Sequence, residues 1–255
     1  REGWRALWYF IEERFGPQDR ELYELWKRRH RLTSRDQEWI RKEIERLSNR
    51  PFISILLPVY NTDEAWLRRC LDSVLGQLYP HWELCVADDA STMPHIRSVL
   101  EEYRSGDGRI KVVFRERNGH ISAASNTALS LATGDYTALL DHDDELTPDA
   151  LYEIASLICR KPDTDMIYTD EDKIDTQGER HSPFFKPDWS PDTLLSLMYT
   201  CHLGVYRTAL VRKIGGFREG FEGSQDYDLV LRLTEHTERI GHIPRILYHW
   251  RSIPE

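Results

Sequence analysis

The sequence predicts an α/β fold, a mixed and mainly parallel sheet flanked by helices, preceded by a helical appendage. Three observations lead there. From Pro51 onward, apolar runs of strand length alternate one by one with helix-like stretches, the pattern of a parallel sheet covered on both faces. Residues 1–50 instead repeat their apolar residues at helical spacing only. The strand-like runs also end in carboxylates or polar turns, and in an open α/β sheet ligands bind at that carboxyl edge.

In the first 50 residues, Trp4, Leu7 and Trp8, Ile11 and Phe15 fall at helical spacing, followed by Leu22, Leu25 and Trp26. A Ser34-x-x-Gln37 capping box then opens a third stretch with Trp39, Ile40, Ile44 and Leu47. Two or three helices are expected. This segment holds 13 basic and 10 acidic residues, leaving 21 and 33 for the rest, and four of the eight Trp. An arm packed on the main domain or on a neighbour is the plainer role; a basic, Trp-bearing face that touches a membrane or an anionic acceptor is the other.

Residues 51–255 form the second unit. Strands are expected at 52–57, 84–87, 111–114, 136–140 and 166–169, and helices near 63–76, 94–104, 122–133 and 148–160. The first strand ends in Pro58-Val59-Tyr60-Asn61, the second in Asp88-Asp89 and the fourth in Asp141-His142-Asp143-Asp144. Acidic groups thus gather along one edge, as a nucleotide and metal site requires.

Composition narrows the function classes. A chain of 255 residues with 40% hydrophobic and 30% charged residues has an ordinary globular core. Its formal charge of -9 argues against a nucleic-acid surface. No apolar run reaches 18 residues, so no bilayer span is expected. The start at Arg1-Glu2-Gly3-Trp4 has neither Met nor a signal-peptide layout, and with the end at Pro254-Glu255 this suggests a piece of a longer protein. Cys70, Cys85, Cys159 and Cys201 lie far apart without a CxxC pair, as reduced core thiols of a cytoplasmic protein would.

Several constellations carry chemistry. Asp141-His142-Asp143-Asp144-Glu145 sets four carboxylates in five residues directly after a strand. Side chains i and i+2 of an extended segment share a side, so Asp141 and Asp143 are expected to converge on a hard divalent cation, Mn2+ or Mg2+. Acidic turns are also common without an ion. Asp88 and Asp89 suit hydrogen bonds from a base N–H or a ribose hydroxyl, or a turn capping the next helix. The loop from Asn118 into the small-residue helix through Asn126 suits backbone N–H contact with phosphate, or merely close packing. Asp226, after the Gly-rich turn 220–223, suits a general base, while Asp228 reads as a helix-dipole charge. His249 is a lone imidazole, structural unless other ligands lie near.

Taken in order, Pro58-Val59-Tyr60-Asn61, Asp88-Asp89-x-Ser91-Thr92, Asn118-Gly119-x-Ile121-x-Ala123-x-x-Asn126, Asp141-x-Asp143, Gly215-Gly216-Phe217 and Gln225-Asp226 resemble the motifs of family 2 inverting glycosyltransferases with the GT-A fold. The resemblance covers about residues 51–250. Asp141 through Pro148, Tyr168-x-Asp170-Glu171-Asp172-Lys173, Phe185 through Asp192 and Tyr248-His249-Trp250-Arg251 resemble the branch that assembles O-antigen, rhamnan and S-layer glycans.

The resemblance implies that Pro58, Tyr60, Asn61 and Asp88, with Asp89, line the base and ribose pocket, and that Asn118, Asn126 and His142 also touch the nucleotide sugar. Asp141 and Asp143 would bind it through the metal, with Asp143 as direct ligand and His249 as a further one. Asp226 takes the position of the catalytic base, and Gln225 stands where an acid is common. Lys186 and Arg251 are cationic candidates for the diphosphate, or surface charges. Trp189 and His202, with Gln225, are candidates for an acceptor or sugar platform, Trp189 being otherwise a core residue.

The expected reaction moves a sugar, with inversion, from dTDP-rhamnose or a UDP-hexose to a hydroxyl of a growing cell-surface polysaccharide, free or lipid-linked. Expected partners are that donor, that acceptor and other domains of the same polypeptide, with no nucleic acid. The expected location is cytoplasmic, including a peripheral position on the inner face of the membrane. A non-catalytic nucleotide- or polysaccharide-binding module of a larger synthase is the rival, motivated by Gln225. A nucleotidyltransferase is disfavoured, because Pro58-Val59-Tyr60-Asn61 stands where a basic Gly-rich loop is wanted.

Overall fold

The computed structural model describes residues 17–253, so the helical spacing read over residues 4–15 lies outside the described residues. Helices α1 (Pro17–Arg29) and α2 (Ser34–Arg46) come first. The capping box of α2 starts one residue earlier than the sequence suggests: Thr33 accepts from the Asp36 N–H, and Asp36 returns to the Thr33 N–H. The short Asp36 carboxylate at the third helical position closes the box, not Gln37. Helix α2 sets Ile40 and Ile44 into the main core, and α1 attaches through the Tyr23 hydroxyl, which donates to Asp172.

The main unit begins with β1 (Ile53–Val59), α3 (Glu64–Leu75), β2 (Trp82–Asp88), α4 (Pro94–Gly106), β3 (Ile110–Phe114) and α5 (His120–Leu131). It continues through β4 (Tyr136–Leu139), β5 (Glu145–Leu146), α6 (Ala150–Arg160), β6 (Met166–Ile174) and β7 (Arg180–Phe184). Last come α7 (Pro191–Ser196), β8 (Gly204–Arg207), α8 (Thr208–Lys213), α9 (Gln225–Thr234) and β9 (Ile240–Arg251).

Strand order in the sheet is β3-β2-β1-β4-β8-β6-β9-β5, with β7 paired to β6. The β1–β2, β2–β3, β1–β4 and β6–β9 pairs are parallel. Strand β8 runs antiparallel between β4 and β6, and β5 runs antiparallel to β9. The fold class is therefore the expected one, but strict alternation of strand and helix is interrupted by the two-residue β5 directly after β4 and stops after β6. There Asp175 accepts from the N–H groups of Gln177 and Glu179, and Gly178 takes φ +85°, so the chain turns straight back as β7.

Because the central strands are covered on both faces, they read as nearly unbroken apolar runs. Ile53, Ile55, Leu57 and Val59 of β1 face the core under α2, α3, α4 and α6, while Leu56 faces a second core under α5, α7 and α9. All four cysteines are free, two of them buried (Cys70, Cys85) and two partly exposed (Cys159, Cys201).

Topology places the site. From β1 the chain moves outward to β2 and β3, then returns to β4 on the other side of β1, which makes a switch point with its crevice at the carboxyl ends. Strands β6 and β9 run past the end of β8 as a ribbon flanked by β7 on the β6 side, and β5 closes on its other side with Glu145 opposite His249. The ends of β1 and β4, the ribbon and the segment before β8 thus meet at one edge.

A strap over residues 185–203 leads into β8. Its Lys186 N–H and the His242 Nε2 both bond Asp170, and the other His242 nitrogen bonds Asp188. The His242 ring stacks on Tyr168 at 4.6 Å. Burial lowers the His242 pKa, but its bonds to Asp170 and Asp188 outweigh that and raise it above the ordinary 6.5. A raised imidazole pKa stabilises the fold fully below about pH 6.5 and loses that contribution as pH rises through the folded value. Thermal melts from pH 5 to 8.5 should therefore show the wild type losing its advantage over His242→Gln as pH increases, at about 2–4 °C per kcal/mol for a chain of this size. A pH-independent difference would count against the clip.

Candidate active site

At the end of β1, Tyr60 stands 45% exposed beside Pro58. Asn61 follows at φ +47°, a left-handed conformation that Asn tolerates. Its amide oxygen accepts from the N–H groups of Thr92 and Met93 at 2.8 and 3.1 Å, and its own N–H donates to Ser91 Oγ. Asp88 accepts from the Ser91 N–H at 3.3 Å. Asn61 and Asp88 therefore tie the β1 and β2 loops to each other. Buried Asp89 pairs with Arg115 and accepts the Gly119 N–H at 3.0 Å, which fixes the loop carrying Asn118 and His120.

These loops enclose a cleft of about 330 Å³ lined by Pro58, Tyr60, Asp89, Asn118, His120 and His142, with Glu222 at its far wall. It runs into a neck of about 30 Å³ bounded by Pro58, Asp141, His202, Gln225 and Asp226. Beyond the neck lies a second pocket of about 190 Å³, lined by Glu171, Met198, His202, Asp226, Tyr227 and Trp250. Asp226 and His202 border both the neck and this second pocket.

The acidic segment is a turn, not an extended run, because the Asp144 N–H donates to the Asp141 carbonyl at 3.2 Å. Residues three apart then meet where the extended reading paired residues two apart. One ligand atom each from Asp141, Asp144 and His202 lies within 4.8 Å of the others, and His202 Nε2 stands 4.0 Å from Asp141 Oδ2. Asp143 does not join that group. Burial pushes its carboxyl up, with the Asp141 charge adding to the push and His142 opposing it.

Asp144 is wholly buried, accepts from the Tyr248 hydroxyl and the Arg251 N–H, and is held well above the usual carboxylate range by burial and then by Asp141 and Asp143. Such a cluster of hard oxygens with one imidazole suits Mn2+ or Mg2+. Among its members Asp141 and His202 keep exposed side chains, 39% and 23%.

His249 is placed elsewhere. Alternation along β9 sends Tyr248 and Trp250 toward His202, which stacks on Tyr248 at 4.7 Å. His249 points to the opposite face, where its Nδ1 bonds Asp172 beneath α1.

Four further expectations are corrected. The ammonium of Lys186 is sealed from solvent by Glu171 and the carbonyls of Thr200 and His202, so it is not offered to a diphosphate. Arg251 is likewise enclosed, bonded to Glu145 and to the carbonyls of Asp143 and Asp175, with its guanidinium over Trp66. Both ends of the Asn126 amide bond the backbone of Phe217, at 2.7 and 2.9 Å. Gly216 is needed beside it, since it sits at φ +68° and a Cβ there would approach Asn126 Oδ1 to 2.5 Å. Trp189 packs against Tyr199 and the second core instead of lining the trough.

Asp226 stands in the first turn of α9, with one oxygen accepting the Tyr227 N–H at 2.7 Å. Burial pushes its carboxyl up, opposed by His202. Gln225 accepts the Gly223 N–H and so shapes the turn before it. Asp228 binds Arg218 and Arg232 and is held below the usual carboxylate range against burial, a structural role. The sequence reading passed over Asp144, Glu171, Tyr227 and Trp250 as site residues. Strand parity alone pointed to Trp250, two residues after Tyr248.

A GT-A sheet with an acidic turn and a carboxylate across a neck defines a glycosyltransferase domain. The chain belongs to glycosyl transferase family 2, whose family model matches residues 54–215. It is 51% identical over 230 residues to the protein y4gI of Sinorhizobium fredii, covering 89% of this chain and 25% of that protein. It is 46% identical over 209 residues to the O-antigen biosynthesis protein RfbC of Myxococcus xanthus, covering 82% of this chain and 16% of that one. The chain thus spans a quarter or less of the length of these relatives. TarS of S. aureus, solved with UDP-GlcNAc, superimposes with a TM-score of 0.67 at 25% identity over 80% of this chain and 59% of that chain. Among the described residues no helix is long and apolar enough to cross a membrane.

The reassignment of Asn126 makes a prediction. Asn126→Ala should cost about 1–3 kcal/mol of stability in urea melts, the penalty for stranding the Phe217 backbone groups, and leave nucleotide affinity by calorimetry unchanged. A lost affinity at unchanged stability would return Asn126 to the ligand.

Proposed function

We propose that this domain transfers a sugar with inversion from a nucleoside-diphosphate donor in the 330 Å³ cleft to a hydroxyl presented from the 190 Å³ pocket. The observation that carries this is the position of Asp226, which borders the neck and the acceptor-side pocket at once. An acceptor hydroxyl there gives its proton to Asp226, and its oxygen attacks the anomeric carbon opposite the departing diphosphate. A single displacement of this kind inverts configuration. The raised Asp226 pKa strengthens it as a proton acceptor.

Tyr60 is the exposed ring beside the nucleoside, and Asn118 and His142 border the same cleft. Asp141 and His202, with Asp144 behind them, would hold Mn2+ or Mg2+, which when bound neutralises charge developing on the diphosphate. Trp250 and Tyr227 present aromatic edges or faces for the acceptor sugar, in place of Trp189.

A UDP-hexose donor is supported by the similarity to TarS, and dTDP-rhamnose by the sequence resemblance to the rhamnan branch. The name and length of RfbC support a role as one catalytic unit of a longer surface-polysaccharide assembly protein. A lipid-linked acceptor would draw such a protein to the inner face of the cytoplasmic membrane. Gln225 does not favour a mere binding module, because it shapes the Gly223 turn while Asp226 keeps the base position.

Release of nucleoside diphosphate from dTDP-rhamnose, UDP-glucose, UDP-galactose and UDP-N-acetylglucosamine, with Mn2+, Mg2+ or EDTA and with rhamnose-containing acceptors, tests the reading. Turnover of one donor that EDTA abolishes is the expected result, and nucleotide binding with no turnover of any donor would favour the binding module. Asp226→Asn should keep UDP affinity and lower transfer by about 10²–10⁴-fold; retained transfer removes the base assignment. Trp250→Ala should raise the acceptor KM while the donor KM stays constant, and the opposite split would move the platform elsewhere.

A further inference from the structure

The buried pair Lys186 and Glu171 grips both sides of one residue of the site. Glu171 Oε2 accepts the His202 N–H at 2.8 Å and the Lys186 ammonium at 2.9 Å. The same ammonium donates to the His202 carbonyl and, at 2.8 Å, to the Thr200 carbonyl. All three ammonium donors are thereby occupied. The side chains are 0% and 3% exposed, so this is an ion pair whose desolvation is offset only by complete hydrogen bonding.

We propose that Lys186 and Glu171 are a positioning pair for the cation site: they fix the backbone of His202 so that its imidazole meets Asp141. The proposal rests on the metal reading of the preceding section. The imidazole is also held from its other side, where it stacks on Tyr248, whose hydroxyl oxygen accepts the Asp141 N–H and whose hydroxyl donates to Asp144. His202 is therefore set between the ion pair and the ring that bears the acidic turn. The chain comes to this point through the last part of the strap, residues 197–203, which has no ladder of its own, so the ion pair does for His202 what the end of β4 does for Asp141. Placement of a ligand by groups that never touch the metal is a general way in which proteins set metal affinity.

The probe is Mn2+ alone, titrated into the purified protein and followed by loss of the free-ion EPR signal. Lys186→Met/Glu171→Gln removes the ammonium without leaving an unpaired buried charge. Glu171→Asp keeps both charges and draws the carboxylate back by one methylene, which serves where the double variant does not fold. In variants with native circular dichroism, Mn2+ affinity should fall by about 10–100-fold. Adding His202→Ala to either should produce little further loss, because residues acting through one ligand are not additive. Wild-type affinity in the folded variants, or a full additional loss on His202→Ala, overturns the positioning role and leaves the metal reading in place. A wild-type protein that takes up no Mn2+ overturns the metal reading and the proposal with it.

Discussion

The active edge depends on the hydrogen bonds that Asp144 makes to β9. A carboxylate buried at this depth is strongly unfavourable unless its oxygens are satisfied, and here the Tyr248 hydroxyl and the Arg251 N–H satisfy them. Each such bond is worth about 0.5–1.5 kcal/mol net to a neutral carboxyl. They draw the turn after β4 onto the far end of β9, across strands β8 and β6 that separate the two in the sheet. Arg251 reinforces the closure from its side chain, reaching the Asp143 carbonyl and Glu145. Without these bonds the turn carrying Asp141 would be held only by β4 and by the two-residue pairing of β5 with β9, a looser support for its 4.0 Å relation to His202.

That closure also explains which parts of the site were legible in the sequence. The strands, the acidic cluster and Asp226 are local: each is marked by its own neighbours, an apolar run or a Gly-rich turn. The roles of Lys186, Arg251 and Asn126 are set by partners 14 to 108 positions away, and a lone cation or amide carries no sign of whether its partner is a ligand or the protein's own backbone. His249 and His202 show a second limit. Parity along β9 turns His249 away from the acidic turn, and parity becomes readable only when one residue of the strand is known to face the site. Tyr248 supplies that reference only through its contact with Asp144.

The cations withheld from the trough have a consequence for its chemistry. With Lys186 and Arg251 both enclosed, the side chains bordering the neck offer the carboxylates of Asp141 and Asp226 against the single imidazole of His202. A diphosphate entering the cleft would face net negative charge there, and a divalent cation reverses that balance where it is needed. The buried ion pair therefore excludes one way of neutralising the leaving group while it orients a residue that serves another.

On the proposed reading the neck would favour transfer over hydrolysis. Its volume of about 30 Å³ has room for one or two water-sized groups, and both ends are walled by side chains fixed in place, Asp226 by the start of α9 and His202 by the strap. A sugar hydroxyl arriving from the second pocket would bring its ring against Trp250 and Tyr227 and fill the neck with its own oxygen. Water entering alone gains no such contact, so it competes at the neck without the binding energy that holds the acceptor in line for attack. On the proposed reading the aromatic pocket behind Asp226 belongs to the chemistry, because it would select the oxygen that Asp226 deprotonates.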